Sequence, residues 1–102
     1  MKYKRKNLAK LERQRTSIFT DDLTECYFCP NRREDIHEIL YGSNRCNSMK
    51  YGYTLPLCRE HHKMFHNNHQ LTRLWSQKCQ LRFEENHTRE EWISIFHRNY
   101  ID

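Results

Sequence analysis

Two pairs of soft ligands dominate the sequence, Cys26-x-x-Cys29 and Cys58-x-x-His61. Zn2+ takes four thiolate or imidazole ligands in a tetrahedron, and a two-residue gap lets a tight turn aim both side chains inward. Cys26-Tyr27-Phe28-Cys29-Pro30-Asn31 supplies such a knuckle, with turn chemistry from Pro30 and Asn31. Two matched pairs separated by a hairpin predict a closed, structural Cys3His zinc site. The apparent binding free energy of such sites is roughly 10–16 kcal/mol in small peptides, and it adds to folding.

Further histidines lie around these pairs. His37 and Glu38 occupy the segment between the two ligand pairs, and His62 and His66 follow the second pair, four residues apart. That spacing puts His62 and His66 on one helix face. The residues alone leave two readings open: a second, open metal position built from His37, His62 and His66, or polar surface histidines.

These ligands must be positioned by a thin core, since 36% of the 102 residues are hydrophobic and 30% are charged. A chain this small often needs a staple. Five cysteines, an odd number, follow a basic rather than apolar start, and no stretch approaches membrane-spanning length. The expectation is a cytoplasmic protein, where reducing conditions favour metal ligation over disulfides. Net charge is +5, and it is concentrated. Residues 1–15 hold seven Lys/Arg against one Glu, while the remainder holds eleven against twelve acidic residues. Such an arm, including Lys4, Arg5 and Lys6, suits a phosphate backbone, although a solvated basic helix has the same composition.

The pattern predicts an α+β chain in three parts: a basic arm over 1–19, a zinc-bearing core over 20–68 and packing helices over 69–102. A short helix is expected over 4–15, with Leu8 and Leu11 on one side. A strand is expected over 35–41, a loop at 42–45 and, over 53–57, either the returning strand or an extended lead into Cys58. Helices follow over 59–65, 69–85 and 89–97. The second of these carries Leu71, Trp75, Cys79 and Phe83 at steps of four, with Leu74 alongside. Thr88 and Glu91 form a capping box for the last, in which Trp92 and Phe96 dock. Cys46 falls in a polar loop, and His69, His87 and His97 read as surface residues.

The order Cys-x-x-Cys, a strand with His37-Glu38, then Leu57-Cys58-x-x-His61-His62-x-x-x-His66 resembles the HNH (ββα-metal) endonuclease superfamily. Residues 26–66 are more narrowly similar to short phage-encoded HNH-like proteins, through Gly42-Ser43-Asn44-Arg45, Ser48, Lys50-Tyr51-Gly52 and Leu55-Pro56-Leu57-Cys58. The tail segments Arg89-Glu90-Glu91 and Ile95 to Tyr100 resemble the same group. The resemblance implies a hairpin and helix gripping one catalytic Mg2+ or Mn2+. It implies His37 as a metal ligand, Glu38 at the general-base position, His62 as the helix ligand and His66 as a further ligand. The central Asn of the motif falls near Tyr53, where this sequence departs from the pattern. Glu38 stands where the family usually has histidine, which leaves three roles open: a base, an extra ligand, or the mark of a site that no longer cleaves efficiently.

The expected function is a metal-dependent DNA endonuclease or nickase in phage DNA processing or recombination within a bacterial host. Arg32, Arg33, Arg45, Lys50, Arg59 and Lys63 would position the phosphate backbone. Tyr41, Tyr51 and Tyr53 either stack on bases or pack the hairpin. A homodimer or other phage DNA-processing proteins are the further expected partners. The competing expectation is a zinc-knuckle adaptor or regulator that binds nucleic acid or protein without cleaving. That role needs only Cys26, Cys29, Cys58 and His61.

Overall fold

The computed structural model describes residues 5–101, with side chains from Leu8 onward. The chain is α+β and forms two units, one reaching Lys63 and the other beginning at Met64. The first holds α1 (Arg5–Arg13), β1 (Asp35–Glu38), a 3-10 turn at Gly42–Asn44, α2 (Arg45–Lys50), β2 (Thr54–Leu57) and the first residues of α3 (Arg59–Asn67). The second holds α4 (His69–Glu84) and α5 (Arg89–Phe96). Among the described residues, no helix is long and apolar enough to cross a membrane.

In the first unit β1 and β2 pair antiparallel, with Asp35 opposite Leu57, His37 opposite Leu55 and Glu38 opposite Thr54. All of β2 is buried, and Ile39, Leu40, Met49 and Tyr53 complete the core around it. The strand predicted over 35–41 ends at Glu38. Ile39 still donates its N–H to the Tyr53 carbonyl, but the Leu40 N–H turns to the Ser48 hydroxyl. That hydroxyl donates in turn to the Tyr53 carbonyl at 2.6 Å.

Ser48 sits on α2, a helix in place of the loop and irregular segment that the sequence suggests after Gly42. Its residues, Arg-Cys-Asn-Ser-Met-Lys, include weak helix formers and are too few to show a period. Tertiary packing decides instead: α2 lies against α1 and buries Met49. Cys46 is accordingly a half-buried helix residue rather than a loop residue. Gly52 then turns the chain into β2 at φ +77°, and a Cβ there would lie 3.2 Å from the Ile18 side chain. Beyond the turn, the Ser17 hydroxyl and the Thr16 carbonyl hold Thr54 from the N-terminal side.

In the second unit the expected α4 stripe is present. Trp75, Cys79 and Phe83 are buried, and burial pushes the Cys79 thiol well up. Leu74 is instead exposed; the buried partners of the stripe are Ser76 and Gln80. Gln80 is satisfied by Glu84, by Asn99 and by the Tyr100 N–H, which stitches the tail to α4. Trp92 is fully buried and stacks on Phe96 at 4.1 Å. His97 ends α5 in the left-handed region, at φ 64°.

The predicted capping box opens α5. The Thr88 hydroxyl accepts from the Glu91 N–H, and Glu91 accepts from the Thr88 N–H at 3.1 Å. That N–H, and His87 beside it, hold the Glu91 carboxyl below its ordinary value of 4.5. The stabilisation of α5 by this carboxylate is therefore complete above that pH and is lost as pH falls through the lower folded value. The Thr88 amide resonance should titrate with a midpoint below 4.5 and cease to do so in Glu91→Gln, which still caps. A midpoint at or above the ordinary value would contradict the capping geometry.

Candidate metal centre and its surroundings

The knuckle is closed by backbone bonds before any ligand is considered. The Cys26 N–H donates to the Asn31 carbonyl at 2.8 Å, and the Tyr27 N–H donates to the Pro56 carbonyl of β2 at 2.8 Å. Glu34 donates to Leu57, so the chain leaves the knuckle directly into β1 alongside β2. Cys58 is the single residue between β2 and α3, its carbonyl accepting the His62 N–H at 2.9 Å. A helix start presents unsatisfied N–H groups and positive potential, which favours a thiolate there.

Cys26, Cys29, Cys58 and His61 converge, their ligand atoms all within 4.8 Å of one another. The His61 Nδ1 lies 3.4 Å from Cys26 Sγ, 3.6 Å from Cys29 Sγ and 3.2 Å from Cys58 Sγ. Cys29 Sγ and Cys58 Sγ are 3.8 Å apart. Zn–S bonds of about 2.3 Å and a Zn–N bond of about 2.0 Å, set tetrahedrally, give edges of about 3.8 Å for S···S and about 3.5 Å for S···N. The distances fit a zinc tetrahedron, and this is the one such cluster among the described residues.

The electrostatics agree. Burial raises the Cys26 thiol, but N–H groups of Cys58 and Phe28 and the neighbouring thiols outweigh it and hold Cys26 below the ordinary thiol range. At Cys29 the Asn31 N–H lowers the thiol, yet burial and the adjacent Cys26 and Cys58 outweigh that and push it up. One thiolate forms readily and its charge opposes the next. A cluster of three becomes fully ionised when a cation sits among them.

The remaining histidines divide. His37 is buried, and its ring faces that of His62 with centroids 5.2 Å apart at 64°. Asp35 Oδ2 lies 3.2 Å from His62 Nδ1. Strand alternation explains the grouping, since Asp35 and His37 share one face of β1. The same alternation in the sequence marks Asp35 as a neighbour of His37. His66 is exposed and belongs to the second unit.

Glu38 faces the other way. It accepts from Arg15 at 2.5 Å and lies 3.4 Å from Arg45, which also reaches Glu12 of α1 at 3.6 Å. With only 13% of its side chain exposed, Glu38 is a clamp between the hairpin, α2 and the segment after α1. Nothing local in the sequence marks a pair separated by 23 residues.

The cations proposed for phosphate contact are likewise mixed. Arg32, Arg33, Lys50 and Lys63 are exposed; Lys50 also lies over the Tyr51 ring. Arg45 is half-buried in the Glu38 clamp, and Arg59 pairs with Glu34 at 3.4 Å on the surface. Lys4 lies outside the described residues, as do the side chains of Arg5 and Lys6. Tyr51 and Tyr53 stack on each other at 5.9 Å with Tyr53 buried, whereas Tyr41 is exposed. Compared with protein-family models, with curated proteins and with solved structures, the chain finds no match.

The Cys3His cluster carries a direct test. The chain should bind one equivalent of Zn2+, and a strong chelator should raise amide hydrogen exchange at 35–38 and at Thr54, Leu55 and Leu57 to the level of unprotected backbone. Cys29→Ser should do the same without chelator. Hairpin amides that stay protected in zinc-free protein would contradict a structural role for the cluster.

Proposed function

We propose that the chain is a metal-dependent endonuclease or nickase of HNH type, acting on DNA phosphodiesters with His37 and His62 as the ligands of a catalytic ion. The observation that carries this reading is the meeting of two imidazoles, one from the hairpin and one from the helix, beside the cysteine cluster that fixes both elements. Two imidazoles sharing one ion, with metal–nitrogen bonds of about 2.1 Å, hold their ring centres about 5 Å apart. The separation here is 5.2 Å.

Asp35 supports the same reading. An Nδ1–H donated to Asp35 leaves His62 Nε2 with its lone pair, and metal-binding histidines are typically oriented by such a carboxylate. When bound, a divalent ion would supply Lewis-acid charge at the scissile phosphate and at the departing 3′ oxygen. Imidazole suits a borderline ion better than hard Mg2+, so Mn2+ fits this pair more readily. Lys63, exposed one residue beyond His62, and the arm over 1–15 attract the phosphate backbone.

Glu38 takes the part of a clamp in this reading. Its carboxylate is committed to Arg15 and Arg45, on the opposite face of β1 from His37. That same observation favours a second reading, a zinc-stapled nucleic-acid-binding module in which cleavage is weak or lost.

Nicking of supercoiled plasmid by the zinc-loaded chain at low salt separates the two. The expected result is nicking with Mn2+, less with Mg2+ and none with EDTA, abolished in His37→Ala/His62→Ala. Glu38→Gln should keep activity within about tenfold, whereas losing a general base typically costs roughly 10²–10⁴ in rate. Glu38→Ala should lower stability by about 2 kcal/mol, less than the roughly 3–5 for breaking a fully buried ion pair. Plasmid shifted in a gel but never nicked by folded protein would favour the binding module.

A further inference from the structure

Cys26 and Cys29 are separated by two aromatic residues that the core leaves out. Tyr27 is 39% and Phe28 40% exposed, in a chain with a thin core. Both are nevertheless held in place. The Tyr27 N–H is bonded to β2, and the two rings meet edge to face at 5.1 Å and 84°. Phe28 also packs at 5.4 Å against the imidazole of His61, a member of the metal cluster. Exposed rings already packed against neighbours have less freedom to lose when another ring stacks on them.

The same knuckle carries Arg32 and Arg33, both exposed. Their backbone is fixed by an antiparallel bridge between Glu25 and Arg32 and by the Arg33 N–H, which donates to Thr24 at 2.9 Å. Among the described residues neither guanidinium has an acidic partner, whereas Arg15, Arg45, Arg59, Arg82 and Arg89 each pair with a carboxylate. Two unneutralised guanidinium groups on one knuckle with two exposed π faces match a ligand that offers phosphates and unstacked rings together. Unpaired nucleotides have that composition. A duplex offers the phosphates but keeps its bases stacked inside.

We infer that the zinc knuckle is a docking platform for single-stranded nucleic acid, with Tyr27 and Phe28 stacking on bases and Arg32 and Arg33 holding the adjoining phosphates. The inference rests on the nucleic-acid reading above and narrows it to substrates with an unpaired segment. It does not depend on cleavage.

The test is fluorescence anisotropy with the full zinc-loaded chain, free of other divalent ions, and dye-labelled oligonucleotides at low salt. A mixed-sequence single strand of twenty nucleotides should bind at least tenfold more tightly than the duplex of the same length. Tyr27→Ser/Phe28→Ser should cost at least tenfold on the single strand and less than threefold on the duplex. Tyr27→Leu/Phe28→Leu keeps apolar contact with His61 but removes the π faces, so it carries the test if the serine variant loses zinc. Arg32→Gln/Arg33→Gln should weaken single-strand binding and flatten its salt dependence. Equal affinity for the two oligonucleotides, or a zinc-retaining leucine variant that binds the single strand like the wild type, would overturn the platform while leaving duplex recognition standing. Binding of neither oligonucleotide would overturn the nucleic-acid reading itself, and would point to a protein as the occupant of the aromatic patch.

Discussion

Three thiols and one imidazole nitrogen within 4.8 Å of one another set the terms for the first unit. The knuckle supplies two ligands, the end of β2 supplies the third and the first turn of α3 the fourth, so one ion would tie three elements together. The core behind them is a handful of side chains around β2. Net folding stabilities of small domains are about 5–15 kcal/mol, and a structural zinc contributes on that same scale. An ion bound there would set the hairpin register and the start of α3 as much as hydrophobic burial does.

From that constraint follows the placement of everything else of chemical interest. With β1 held beside β2, its alternation sends Asp35 and His37 to one face and Glu38 to the other. With Cys58 and His61 held at the start of α3, His62 is carried to the His37 ring. Histidine pair and glutamate clamp thus occupy opposite sides of a two-stranded sheet. The clamp collects Arg15 and Arg45 and, through Arg45, Glu12 of the basic helix. Adjacent residues in sequence, His37 and Glu38, serve two different purposes because a strand separates neighbours.

What was legible in the sequence was local. The two ligand pairs, the step-of-four stripe through Trp75, Cys79 and Phe83, and the Thr88/Glu91 box each depend on residues within a turn or two of one another. Their spacing alone determines what they do. What was not legible depended on distant partners. α2 forms because Met49 is buried and Ser48 joins Leu40 to Tyr53, neither of which its own six residues announce. The Arg15–Glu38 pair and the exposure of Leu74 are of the same kind, and so is the Phe83 ring that stacks at 4.4 Å on His87, which stays on the surface as expected.

One zinc ion held by these four residues would be the direct source of the site's geometry. X-ray absorption at the zinc edge of the full chain, as purified, reads that ion's neighbours directly. The expected result is a single first shell of three sulfurs at about 2.3 Å and one nitrogen at about 2.0 Å, from which Cys58→Ser removes sulfur. A shell of nitrogen and oxygen alone, or a chain that folds with no zinc, would contradict it.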